Sequence, residues 1–180
     1  MPDSIDQLIT LSKLYSHAFL KALELLLRDE GSYATCAGDP GGPTKFGISA
    51  RQYPNLDIAQ LTIAEAAAIY YRDWWQRFDF GSLPEAIGAK LFNLAVNMGP
   101  HEAVLCIQRA LRACRHAVSE DGALGAQTRA AIARADGAAL MAALRSEAAG
   151  YYRLTVAVSA AHGDRQPERF LEGWLKRAYE

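Results

Sequence analysis

The sequence predicts a mainly α-helical fold with one small non-helical lobe after the first helix. Three observations carry that prediction. Apolar residues recur at helical spacing along most of the 180 residues. Short turns separate those stretches, as in a helical bundle. One stretch, residues 29–49 (DEGSYATCAGDPGGPTKFGIS), cannot be helical. It holds Gly31, Gly38, Gly41, Gly42 and Gly47 with Pro40 and Pro43, a density that sets turns and permits positive φ.

The first helical pattern covers residues 4–29, as one long helix or two in line. Phe19, Leu20, Leu23, Leu26 and Leu27 carry it into Asp29–Glu30, and Gly31 is the residue suited to end it. Glu30 is unusual there. An acid at a helix C-terminus faces the negative end of the dipole, at about 0.3–1 kcal/mol. The same field, with partial burial, raises a carboxyl pKa toward that of a general acid. Glu30 is therefore either a solvated helix-end residue or a proton donor. Residues 30–55 form the loop, with a short hairpin around Lys45–Ile48 and a turn at Pro54–Asn55.

Thr62 and Glu65 make a capping-box pattern, opening a helix that runs to about Phe78. Its Tyr70, Tyr71, Trp74 and Trp75 either stack on sugar rings or fill the core. Pro84 suits the first turn of the next helix, which stops at Gly99–Pro100. That helix is apolar on nearly every side except at Lys90, Asn93 and Asn97, so it is a buried one. Asn93 and Asn97 share a face, as buried amides or as amides lining a cleft beside Glu30. His101–Ala113 reads as a helix with Leu105, Gln108 and Leu111 in its core pattern. Asp121-Gly122 is a turn, Thr128 begins or enters a helix, and residues 137–160 and Phe170–Tyr179 form the last two helices.

Composition limits the function classes. At 51% apolar and 22% charged, the chain reads as a globular protein of one domain. A net charge of −1 leaves no footprint for nucleic acid or an anionic membrane, and no charge-based pull toward a cell wall. Cys106 and Cys114 lie about 12 Å apart along one helix, too far to bond. All three cysteines, Cys36 in the loop included, read as free thiols of a reducing compartment. His17, His101, His116 and His162 show no ligand spacing, so no catalytic metal or other cofactor is expected. No nucleophile elbow, phosphate loop or bilayer-length apolar run stands in the sequence, and residues 1–25, with Asp3, Asp6 and Lys13 among their apolar positions, are not expected to act as a signal peptide.

EGSY followed by GDPGGPTKFGIS resembles the N-terminal signature of glycoside hydrolase family 108, the bacterial and phage N-acetylmuramidases. That signature runs Glu-Gly-Gly-Tyr, a spacer, then Asp-x-Gly-Gly-x-Thr-x-x-Gly-Ile. Asp39, Gly41, Gly42, Thr44, Gly47 and Ile48 fall in place, and Ser32 stands where the family usually has a second Gly. The Glu–Asp–Thr order is also similar to that of phage-type lysozymes, which space Asp and Thr one residue further apart. Residues 70–75 resemble the family's Tyr-x-x-x-Tyr-Trp region, with Trp74 in place of Tyr. FNLAVNMG resembles a central helix of both groups. Asp121–Thr128 resembles the Asp-Gly-x-x-Gly-x-x-Thr element of peptidoglycan-binding modules, and FLEGWLKR the family's terminal Gly-Trp-x-x-Arg, which packs Trp174 on the core. The resemblance covers about residues 17–178.

The resemblance implies a lysozyme-like unit over residues 1–180. A muramidase region lies at about 17–105 and a helical peptidoglycan-binding-like region at about 106–178. It implies hydrolysis of the β-1,4 bond between N-acetylmuramic acid and N-acetylglucosamine. Glu30 is then the general acid, Asp39 activates water or stabilises the oxocarbenium-like state, and Thr44 positions the water. Tyr33, Asn97 and Trp75 become substrate-binding residues. Retaining versus inverting chemistry stays open, because the glycine-rich loop does not fix the carboxyl separation. The expected partners are peptidoglycan strands and a holin or export partner, with no nucleic acid and no stable membrane insertion, for a monomer or weak homodimer. The enzyme is then made in the cytoplasm and acts on the periplasmic wall after release, as a prophage endolysin or in protein secretion. The competing class is a non-catalytic wall-binding or export-assisting protein on the same fold.

Overall fold

The computed structural model describes residues 11–30 and 44–180, and of residues 29 and 30 the backbone alone. The fold is mainly α and lysozyme-like, and the one sheet among the described residues is a two-stranded hairpin. The chain divides into two compact units, Met1–Gly81 and Ser82–Glu180.

In the first unit the N-terminal helical pattern breaks at Tyr15–Ser16, after a helical stretch at 11–14. Helix α1 then runs His17–Glu30. Ser16 caps it, its Oγ accepting from the Phe19 amide at 3.3 Å. Phe19, Ala22, Leu23 and Leu26 are buried along one face, while Lys21, Glu24 and Arg28 are exposed opposite. Helix α2 spans Ile63–Tyr70, and the predicted capping box is present. The Glu65 amide donates to Thr62 Oγ1 at 3.2 Å, and the Thr62 amide donates to Glu65 Oε2 at 2.8 Å.

Here the structure differs from the periodicity reading. The helix does not continue as α to Phe78 but widens into a π-helical segment, Tyr71–Gln76. The rings of Tyr71 and Trp75 both meet Phe19, with centroids 5.0 and 5.6 Å away. Tyr15 closes on Phe19 and Tyr71 at 5.2 and 4.8 Å. The core of this unit is thus an aromatic cluster built on Phe19.

The second unit contains α3 (Glu85–Met98), α4 (Pro100–Ala113), α5 (Ala126–Arg134), α6 (Gly137–Ala161) and α7 (Leu171–Tyr179), with a short 3-10 turn at Gln166–Phe170. Helix α6 packs against α4 and α7, and α3 against α4. Helix α3 is buried, as its apolar circumference predicts. Lys90, only 7% exposed, reaches the carbonyl of Arg177 near the end of α7 and so meets the negative end of that helix. Gly99 takes φ 96 and Pro100 starts α4, so the turn between them is the predicted stop. Trp174 packs between Tyr152 and Phe170 at 5.4 and 5.9 Å. Cys106 and Cys114 are free, and burial pushes the Cys106 thiol up to about 12. Cys36 lies outside the described residues.

One amide organises the turn that precedes α5. Gln108 is fully buried. Its Oε1 accepts from the amides of Asp121 and Gly122 at 3.1 and 3.0 Å. Its Nε2 donates to Asp121 Oδ1 at 2.7 Å and Thr128 Oγ1 at 3.2 Å. Gly122 sits at φ 67, a conformation that favours glycine, and a Cβ there would lie 2.1 Å from Nδ1 of the exposed His101 ring, which would have to swing aside. The Asp121 carboxyl is held below the usual range, chiefly by the Ala123 N–H and then by Gln108. Its contribution is present above about pH 4 and is lost as pH falls below that.

Replacing Gln108 by Leu keeps the volume but strands the amide donors of Asp121 and Gly122. Denaturant unfolding is expected to show a loss of about 2–4 kcal/mol. A loss below about 1 kcal/mol would mean that the turn is held by other contacts.

Candidate functional site

The glycine-rich loop returns to regular structure in a hairpin. Strand β1 (Thr44–Lys45) pairs antiparallel with β2 (Ile48–Ser49), Thr44 facing Ser49 and Lys45 facing Ile48. The two-residue turn uses Phe46 at φ 54 and Gly47 at φ 77, the positive pair that matches the twist of the strands. Phenylalanine resists that conformation at a cost of about 1–3 kcal/mol. Three contacts hold it. The Tyr70 hydroxyl donates to the Phe46 carbonyl at 2.8 Å. The Lys45 ammonium lies 5.6 Å from the centre of the Phe46 ring and donates to the Ala59 carbonyl at 2.8 Å. Ile48 is buried beneath. The half-buried Thr44 therefore stands on a strand that is pinned to α2 and to the loop at 57–61.

The structure places the other sequence-derived candidates as follows. Glu30 is the last residue of α1, at the negative end of its dipole. The Glu30 side chain, Tyr33 and Asp39 lie outside the described residues. Trp75 is 5% exposed, with its ring against Phe19 and Phe80; a ring so covered offers a ligand no face. Asn97, in the second unit, is half-buried in the last turn of α3, and its Oδ1 accepts from the Tyr152 hydroxyl at 2.6 Å. Its neighbour Asn93 is 7% exposed, and its Oδ1 has no partner among the described residues.

A second polar cluster in the first unit escapes sequence reasoning. The Tyr53 hydroxyl donates to Asp73 Oδ2 at 2.9 Å. Arg72 holds the same carboxylate in a fork, Nε to Oδ1 at 2.6 Å and Nη2 to Oδ2 at 2.7 Å. The cluster ties the loop after the hairpin to the π-helical segment. Arg72 is the main cause that keeps the Asp73 carboxyl below its usual range. Burial, then the bond to Asp73, pushes the Tyr53 hydroxyl up to about 12. The only sequence signal was the Arg72-Asp73 pair breaking an aromatic run; nothing local points from Asp73 to a tyrosine 20 positions earlier.

Residues 23–99 match the family model described as Glycosyl hydrolase 108, and residues 102–179 match the one described as Predicted Peptidoglycan domain. The join between them is the turn between α3 and α4, inside the second compact unit. Among solved structures, that of SagA from Brucella abortus is similar with a TM-score of 0.64 at 23% identity, covering 90% of this chain and 96% of that one. The likeness is one of fold. No curated protein matches the chain.

The raised Tyr53 hydroxyl has a definite sign. Its stabilising contribution is complete below the ordinary tyrosine value of about 10 and is lost as pH rises toward 12. The tyrosinate absorbance of wild type minus that of Tyr53→Phe is expected to show one group ionising near pH 12. Ionisation at the ordinary value would mean that Tyr53 is neither buried nor bonded to Asp73 in solution.

Proposed function

With residues 23–99 in the glycosyl hydrolase 108 family and residues 102–179 in that of the predicted peptidoglycan domain, we propose that the chain hydrolyses the β-1,4 bond between N-acetylmuramic acid and N-acetylglucosamine in peptidoglycan. One observation carries the reading: the glycosidase match spans Glu30, Asp39 and Thr44 and sits in one chain with a peptidoglycan module. Glu30 is the general acid that protonates the leaving oxygen. Support comes from its place at the end of α1, where the helix dipole favours the neutral carboxyl. Asp39 activates a water or stabilises the oxocarbenium-like state, and the Thr44 hydroxyl orients that water. Tyr33 and Asn97 bind substrate. A carboxyl separation of about 5–5.5 Å would make the enzyme retaining, and about 6.5–9.5 Å inverting.

A second reading, wall binding without hydrolysis, is favoured by the peptidoglycan match alone. Clearing of a suspension of purified walls selects the first reading; co-sedimentation with intact walls and no clearing selects the second. Among the described residues no helix is long and apolar enough to cross a membrane. The proposal includes a holin or export partner that brings the protein, as monomer or weak homodimer, to the periplasmic wall, in phage lysis or in secretion.

Glu30→Gln is expected to abolish wall clearing with thermal stability unchanged or slightly raised, since it removes a charge from a disfavoured helix end. General acid catalysis supplies about 10²–10⁴-fold, so a variant keeping more than about a tenth of wild-type activity would remove Glu30 from the role. Asp39→Asn is expected to lower the rate substantially, and Thr44→Ala less. An Asp39→Asn variant as active as wild type would make Asp39 a turn-capping residue.

A further inference from the structure

Beside the hairpin, within the first unit, lies a cleft of about 360 Å³. That is a small-molecule volume, near the lower end for ligand pockets. Pro54, Leu56 and Ile69 give it an apolar lining, and Tyr53 gives it an aromatic one. Gln52 and Asn55 add two amides, and among the described residues neither side chain has an intramolecular hydrogen bond. Arg72 completes the lining.

We propose that this cleft is a saccharide subsite that holds one N-acetylglucosamine residue of a glycan strand. The inference rests on the reading of the chain as directed at peptidoglycan. Two observations select a neutral amino sugar. The Arg72 charge is matched by the Asp73 fork, which removes the free cation that an anionic ligand would need. Apolar surface and an aromatic ring suit the C–H face and acetamido methyl of such a sugar, while amides that both donate and accept suit its hydroxyls and acetamido group. The aromatic wall is held before binding: Tyr53 is tied to Asp73 and Asp73 to Arg72, which leaves the exposed Gln52 and Asn55 side chains to be ordered by the ligand. Arg72 and Asp73 lie on the π-helical segment, a geometry that recurs at functional sites and is uncommon elsewhere.

The test uses the full chain carrying Glu30→Gln, so that ligand is not cut. Titration with the N-acetylglucosamine trimer, followed by amide NMR, is expected to shift the backbone and side-chain signals of Gln52 and Asn55. Asn55→Ala and Leu56→Asp are expected to weaken the binding read at Gln52 by about fivefold or more. Arg51→Ala, exposed on the same loop but outside the lining, is expected to leave it unchanged. In the active enzyme the two cleft variants raise KM on walls with little change in kcat. Shifts that spare the cleft, or cleft variants that bind as wild type does, overturn the subsite. Failure of the two readings is distinguishable. Cleft shifts in a chain whose wild type clears no walls would leave the subsite standing and remove the hydrolase. Glu30-dependent clearing without cleft shifts would do the reverse.

Discussion

The first unit depends on the packing of one ring. Phe19 is fully buried and meets Tyr15, Tyr71 and Trp75. Burial of such a side chain stabilises by about 1.5–3 kcal/mol, and each aromatic pair adds about 0.5–1.5 kcal/mol. The acids that end α1 cost about 0.3–1 kcal/mol each. The ring cluster therefore outweighs the unfavourable charges at the helix end, and α1 holds its course to Glu30. An acid can remain where stability alone would choose Lys or Arg because the helix is anchored eleven residues upstream, by contacts indifferent to charge.

The hairpin shows a similar balance at smaller scale. A phenylalanine at positive φ opposes the turn, and a tyrosine hydroxyl from α2 holds its carbonyl in place. Net hydrogen bonds are worth about 0.5–1.5 kcal/mol, comparable with the strain, so the turn needs the Lys45 contacts and the buried Ile48 as well. The loop that follows is then fastened to the π-helical segment through Tyr53. Strand, loop and helix in this lobe are linked by polar contacts between parts of the chain about 14–24 residues apart.

Such separations explain what could be read beforehand. Periodicity placed α1, α3 and α4, because one face of each is apolar at helical spacing. The capping box at Thr62 and Glu65 and the stop at Gly99–Pro100 were legible because each is a local rule about adjacent residues. The hairpin was legible from its glycine and the residues around it. The π-helical segment was not: an i→i+5 ladder leaves the same residue types in the same order, and the choice is made by rings packing on Phe19. Gln108 was placed in the core by its position on α4, yet nothing in the sequence said that a polar amide there would organise residues 121–128. Of the candidate site, the motif marked Glu30, Asp39 and Thr44, whereas the Tyr53–Asp73–Arg72 cluster arises only once the loop has folded back on the helix.

The place where the two family regions meet has a practical consequence for modularity. Their junction falls between α3 and α4, yet both helices belong to one compact unit and pack together. A fragment cut at that junction would carry α3, with its buried Ile87, Leu91, Phe92 and Leu94, away from the α4 helix it packs against. The remaining piece would lose a wall of its own core. The peptidoglycan region is thus not a cassette that can be swapped at its family border. An exchange that respects folding would cut near residue 81, and would have to carry α3 along with it. Recombination between relatives of this architecture is accordingly expected to leave its scars ahead of α3.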